Sequence, residues 1–224
     1  MNTIDFSTYK IHCSSLPKLM TKSRSKTDIL SETAKSYLLD IYIEEVYGRK
    51  NINMIGNKYT RKGIECETDS IDLVSKLKGK KYFKNNEQLH NDYVCGTPDV
   101  TAPDLVDVKT SWDLHTFAAV DEKKAMKDYA WQLKGYQWMT GSKTSTLAYC
   151  LVNTPEILIT DALYRLSFSV PEDQTEQYRH NFIFDDIPEK KRMKSYEILW
   201  DDGDANTLIS MVQAAREYLL TIQL

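Results

Sequence analysis

The stretch from Asp92 to Thr110 places the tightest limit on the fold. It holds two short β-rich runs, Asp92 to Gly96 and Leu105 to Thr110, separated by the turn-forming TPDVTAPD. In the second run Asp107 and Lys109 lie two apart, so both side chains point to one face of a sheet. Their neighbours Val106 and Val108 point to the other face and read as core. A chain built around this segment has strands in its middle and must cover at least their Val106–Val108 face.

The flanks supply the cover. Residues 28–47 place Ile29, Ala34, Tyr37, Leu38, Ile41 and Val46 at roughly helical spacing, with Gly48 as a stop. A second helix is expected from Arg61 to about Leu77, with Ile64, Ile71 and Val74 inward, broken at Gly79. Before these, Ser14 or Ser15 can cap a brief helix that tolerates Pro17 in its first turn. After the strands, Glu122 to Thr140 reads as a long helix ended by Gly141. Ser145 to Asn153 and Ile159 to Val170 read as two strands about the Thr154–Pro155 turn, followed by a helix over 171–181. Ser195 to Trp200 is a candidate strand, and a last helix runs from about Asp204 to Ile222. No repeat or linker interrupts the order, so a single domain over 1–224 is expected, with a core at about 28–170 and an α/β extension at 171–224.

Composition narrows the class. At 224 residues, 42% hydrophobic and 27% charged, the chain is ordinary for a globular protein. No stretch approaches the roughly 20 apolar residues of a membrane span. MNTIDFSTYK lacks a basic region before an apolar run, so secretion is not expected and a cytoplasmic location is. Cys13, Cys66, Cys95 and Cys150 show no metal-binding spacing and are expected as buried thiols. The net charge of −3 argues against a protein that coats nucleic acid all over. Any such contact must come from local patches: Lys18 to Lys26, Arg61–Lys62, Lys76 to Lys84, Lys123 to Lys127, and Lys190 to Lys194.

Two acids and a lysine, Asp99, Asp107 and Lys109, converge on one side of the strand pair. Carboxylates suit magnesium, which takes oxygen ligands, and a nearby lysine can orient an attacking water. Asp-x-Lys on a strand is equally compatible with a solvated sheet face. Gln132 and Tyr136, four apart, share a helix face, as do Trp131 and Trp138, seven apart. The tryptophans are expected in the core, with base stacking as the alternative.

Pro98–Asp99 followed by Asp107-Val108-Lys109 resembles the PD-(D/E)XK nuclease signature. Gly63-Ile64-Glu65-Cys66-Glu67 upstream resembles the Gly-x-x-x-Glu of RecB-like and lambda-exonuclease-like (YqaJ) enzymes. Downstream, Trp131 to Thr140 resembles their glutamine-bearing helix. The likeness covers about residues 10–152. It implies a restriction-endonuclease-like α/β core, a central mixed β-sheet flanked by helices. It further implies a magnesium-dependent deoxyribonuclease, with manganese as a substitute, in which Glu67, Asp99, Asp107 and the Val108 carbonyl hold the metal. Lys109 would position water, and Gln132 would hold that lysine or the scissile phosphate. Many relatives carry Glu where this chain has Asp107, which shifts ligand geometry without removing the ligand. Glu65 competes for the helix position; Glu67 fits the family spacing.

By the same resemblance, Cys13-Ser14-Ser15-Leu16-Pro17 is similar to a serine-rich start that contacts the DNA backbone. Ser14, Ser15 and Lys18 are therefore expected to bind phosphate, with Tyr136 also at the DNA. The family implies an exonuclease on DNA ends in phage-type recombination, working in the host cytoplasm if phage-encoded. It implies a single-strand annealing protein as partner and, from ring-shaped members, a homo-oligomer. The alternatives are a structure-specific endonuclease on the same fold and a non-catalytic DNA-binding or assembly protein.

Overall fold

The computed structural model describes residues 4–52 and 56–223; the first three residues of the N-terminal stretch and residue 224 lie outside them. Local sequence sets the ends of the long helices. α2 (Glu32–Tyr47), which follows β1 (Ile11–His12) and the short α1 (Leu16–Leu19), starts where Ser31 Oγ accepts the Ala34 N–H at 3.0 Å. It stops where Gly48 takes φ +65°.

Residues 61–77, expected as one helix, form two. α3 (Lys58–Glu65) is capped by Asn57, and α4 (Glu67–Lys78) begins after a break at Cys66, whose φ of −107° and ψ of 12° lie in the bridge region. The buried Cys66 thiol donates to the Asn153 carbonyl at 3.5 Å. The break turns the two helices differently. Ile71 and Val74 of α4 are buried as expected, whereas Ile64 of α3 is 68% exposed, contrary to its expected inward position.

Strands form two mixed three-stranded sheets. β3 (Val94–Gly96) lies between β1, parallel to it, and β2 (Leu89–His90), antiparallel. β4 (Val106–Thr110) runs parallel to β5 (Thr144–Cys150), and β6 (Met193–Leu199) pairs antiparallel with the other edge of β5. An isolated bridge from Val100 to Val106 links the loop after β3 to the start of β4. The fold is α/β with mixed sheets flanked by helices, the expected central sheet being divided in two. A parallel β4–β5 pair needs a long crossover, which α5 (Leu114–Ala118) and α6 (Glu122–Thr140) provide.

Between β5 and β6 the expected strand Ile159 to Val170 is instead helical. α7 (Glu156–Leu166) starts after Pro155 and buries Leu158, Ile159 and Leu163 on one face. The buried residues, Leu158, Ile159 and Leu163, follow helical spacing, which the alternating strand reading does not capture. The helix expected over 171–181 is the one-turn α8 (Glu172–Thr175) followed by 3-10 turns over Glu176–Phe182. α9 (Asp204–Thr221) places Leu208, Val212, Ala215 and Leu219 against Leu38 and Ile41 of α2.

The two faces of the β4–β5 pair are covered differently. Val106, Val108, Ala148 and Cys150 pack under Ile71 and Val74 of α4. The opposite face meets α6, where Leu133 packs on Leu147 and Leu151. Asp107 and Lys109 point to the α6 side. Two glycines bring the N-terminal segment to the same helix. A Cβ on Gly135 would lie 2.6 Å from Cys13 Sγ, and one on Gly96 would lie 2.9 Å from Tyr136 Cε1. Only hydrogen at these positions lets Cys13, β3 and α6 approach so closely. All four cysteines are buried and free, and no helix among the described residues is long and apolar enough to cross a membrane.

Candidate active site

The site is assembled on β4. Asp107, 1% exposed, lies on its α6 side. Gln132 of α6 donates from Nε2 to Asp107 Oδ1 at 3.1 Å and to the Tyr136 hydroxyl at 3.1 Å, using both amide hydrogens. Asp107 Oδ2 meets the Lys109 ammonium at 2.5 Å and has no further partner among the described residues. Lys109 also lies over the Tyr129 ring, 4.8 Å from its centre. Burial by itself lowers the pKa of this lysine. The charges of Asp107 and Asp99 outweigh burial and hold it above the ordinary lysine value, so it is a cation at neutral pH.

Asp99 stands in the loop after β3. Its Oδ2 accepts the Val108 N–H at 2.7 Å, which ties the loop to β4. Burial first, then the charge of Asp107, push its pKa up to about 8 against the opposing pull of Lys109 and the Val108 N–H. Glu67 owes its place to the helix break at Cys66: it is the first residue of α4, and its carboxylate is 3.2 Å from the Lys84 ammonium.

These groups surround a cavity of about 710 Å³. Ser14, Glu67, Asp99, Val108, Lys109 and Gln132 all line it, while Asp107 sits beneath the lining. The other expected residues are placed differently. Ser15 hydrogen-bonds the Tyr37 side chain, and Lys18 lies 5.6 Å from the centre of the Tyr37 ring, outside the cavity lining. Tyr136 is only 4% exposed; it holds Gln132 from below and is not placed to touch DNA, because Gly96 and the Cys13 segment cover it. Gln132 contacts Asp107, not Lys109. Glu65, the competitor for the helix position, is exposed on α3. Trp131 and Trp138 are half-buried against the core, with Trp138 stacked on Tyr93 at 5.6 Å.

One lysine from each of two expected basic patches is spent inside the fold. Lys62 is fully buried; its ammonium donates to the Trp112 carbonyl at 3.0 Å and lies 5.1 Å from the centre of the Phe184 ring. Lys194 donates to the carbonyls of Phe117, Ala118 and Val120.

Spacing alone missed several cavity residues. Tyr129 lies three before Gln132 on the same helix face, and Tyr149 is the register partner of Lys109 across β4–β5, so both were within reach of periodicity. Tyr59, Thr60 and Trp112 arrive through the packing of α3, for which no local signal exists.

The donor set suits a hard divalent cation. Glu67 and Asp99 line the cavity, Asp107 lies beneath it, and one Asp107 carboxylate oxygen meets only a lysine. Among the described residues no three acidic, histidine or cysteine side chains stand close enough to hold a metal ion as they are; Lys84 and Lys109 neutralise Glu67 and Asp107 instead.

Fold and site together are consistent with the PD-(D/E)XK nuclease superfamily, and the chain's structural neighbours are exonucleases. It is similar to the phage related exonuclease of Haemophilus somnus 129PT, with a TM-score of 0.78 and 27% identity over 95% of this chain and 94% of that one. The alkaline exonuclease LHK-Exo of Laribacter hongkongensis shares the fold at a TM-score of 0.64 and 14% identity, over 96% of this chain and 89% of that one. A second structure of LHK-Exo, in complex with dAMP, matches at a TM-score of 0.59 and 14% identity over 94% and 88% of the two chains. No family model matches the sequence, and no curated protein does.

Proposed function

We propose that this protein is a metal-dependent exonuclease that hydrolyses phosphodiester bonds at DNA ends. The observation that carries this reading is the gathering of Glu67, Asp99, Lys109 and Gln132 around one cavity, with Asp107 directly beneath. The whole-chain likeness to a phage related exonuclease supports it.

In this reading Glu67, Asp99, Asp107 and the Val108 carbonyl would hold magnesium, with manganese able to substitute. When bound, such an ion supplies Lewis-acid activation of water and neutralises charge on the phosphodiester. Lys109 remains protonated beside Asp107, so it orients the attacking water and meets the phosphate as a cation. Gln132 fixes the Asp107 carboxylate, and Tyr136 fixes Gln132. Ser14, which lines the cavity, would meet the backbone phosphate. A role in phage-type recombination, an annealing-protein partner and a homo-oligomer belong to the same proposal.

Linear duplex and closed circular DNA, incubated with magnesium, manganese or a chelator, test this function. An exonuclease digests the linear form alone and stops with chelator. Digestion of the circle favours the endonuclease alternative, and no digestion of either overturns the enzyme reading.

A further inference from the structure

Beyond the cavity, the outward face of α7 carries an unusual exposure. Ile157, Tyr164 and Phe168 are 65%, 64% and 74% exposed. With Asp161 they fall at positions 157, 161, 164 and 168, one stripe of the helix continued just past its end. The Tyr164 and Phe168 rings meet edge to face at 5.2 Å, so two large aromatic surfaces stand side by side in water.

Charge on this face is unbalanced. Arg61 of α3 and Arg165 of α7 both reach Asp161, at 3.3 Å and 3.4 Å, so two guanidinium groups share one carboxylate. Glu156 and Glu176, further along the chain on either side, are both paired with Arg179. The strip also continues into the cavity. α3 contributes Tyr59, Thr60 and Ile64 to the lining, and Phe182, at the end of the 3-10 segment Glu176–Phe182, lies 5.5 Å from the Trp112 ring.

We propose that this face, from the edge of α3 across Arg61 and Arg165 to Tyr164 and Phe168, binds single-stranded DNA running away from the cavity. Rings stack on any base, and guanidinium groups meet phosphates, without reading sequence. A single strand fits better than a duplex, whose bases are already stacked and offer no faces to these rings. The proposal rests on the nuclease reading above.

The test uses the full chain with chelator, so that nothing is cut. Binding of a labelled oligo-dT strand and of a blunt duplex is followed by fluorescence anisotropy for wild type, Tyr164→Ala/Phe168→Ala and Arg165→Gln. The double variant should lose about tenfold in oligo-dT affinity and keep its blunt-duplex affinity. Arg165→Gln should reduce the salt slope of oligo-dT binding by roughly one counterion. All three side chains are exposed, so these variants should fold; matching circular dichroism checks this. Unchanged oligo-dT affinity in the double variant overturns the proposal, as does an equal loss for both DNAs. Loss of self-association in the double variant with unchanged DNA binding would assign the face to a second copy of this chain. Wild type that digests linear DNA while the variants bind like it overturns only this inference. Wild type that neither binds nor digests DNA overturns the nuclease reading with it.

Discussion

A part-buried lysine lining the cavity and a fully buried one behind its wall are given opposite characters by their surroundings. Lys109 meets Asp107 and lies within the field of Asp99, so its charge is held in spite of burial. Lys62, fully buried behind Trp112, has one backbone carbonyl and the face of Phe184. Burial there lowers its pKa to about 8, with Cys66 and Asp113 pulling weakly the other way. A carboxylate partner makes a buried lysine a permanent cation; a carbonyl and a ring leave it near the point of losing its proton. The first is equipped for chemistry on an anion, while the second holds the wall.

That contrast can be broken in three ways. Lys109→Ala should lower DNA hydrolysis by about a thousandfold, since in the proposed mechanism it removes the cation that would meet the reacting phosphate. Single-turnover rates on linear duplex check this, and activity within tenfold of wild type would sink the assigned role. Lys62→Ala should instead act on the fold, costing about 3 kcal/mol in urea unfolding because it opens a cavity and leaves the Trp112 carbonyl unpaired. If both substitutions affected activity and stability alike, the two lysines would not differ as described.

The third and smallest effect is a dependence on pH. The folded pKa of Lys62 is about 8 and its ordinary value is 10.5. Between these the unfolded chain keeps the proton and the folded one loses it, so this residue makes stability rise with pH across that window. Lys109 has the opposite sign: its pKa is raised, so its contribution is present below 10.5 and is lost only as pH climbs through its higher folded value. Buried cysteines and tyrosines lose stability at high pH in any variant, so the informative quantity is the difference between wild type and Lys62→Met. That difference should shift by about 2 kcal/mol between pH 8 and 10.5 in favour of wild type. A pH-independent difference would show that Lys62 titrates normally.

The same contrast marks what sequence could convey. The acid–lysine pair on β4 was readable because a strand has a period of two, and Gln132 because α6 has clear caps at both ends. Lys62 was misread as part of a surface patch because its burial depends on Phe184, more than a hundred residues away. Ile159 to Val170 reads as a strand after the Thr154–Pro155 turn, yet the packing of Leu158, Ile159 and Leu163 on one face makes it helix. The split at Cys66 left no local sign, since it answers to the distant Asn153 carbonyl. Features written in local periodicity were legible; those set by a distant partner were not.

The notch at Gly135 has a consequence for the order in which the molecule is built. Cys13 can be seated only once α6 exists, yet about 120 residues of chain separate the two. On the ribosome the Ser14 segment therefore waits, unseated, until more than half of the sequence has emerged. Seating it closes a long loop, an entropic cost that slows folding, and ties the first strand to the middle of the protein in one cooperative unit. Amides of residues 13–19 should then exchange hydrogen at the pace of the α6 interior and not at that of a free terminus.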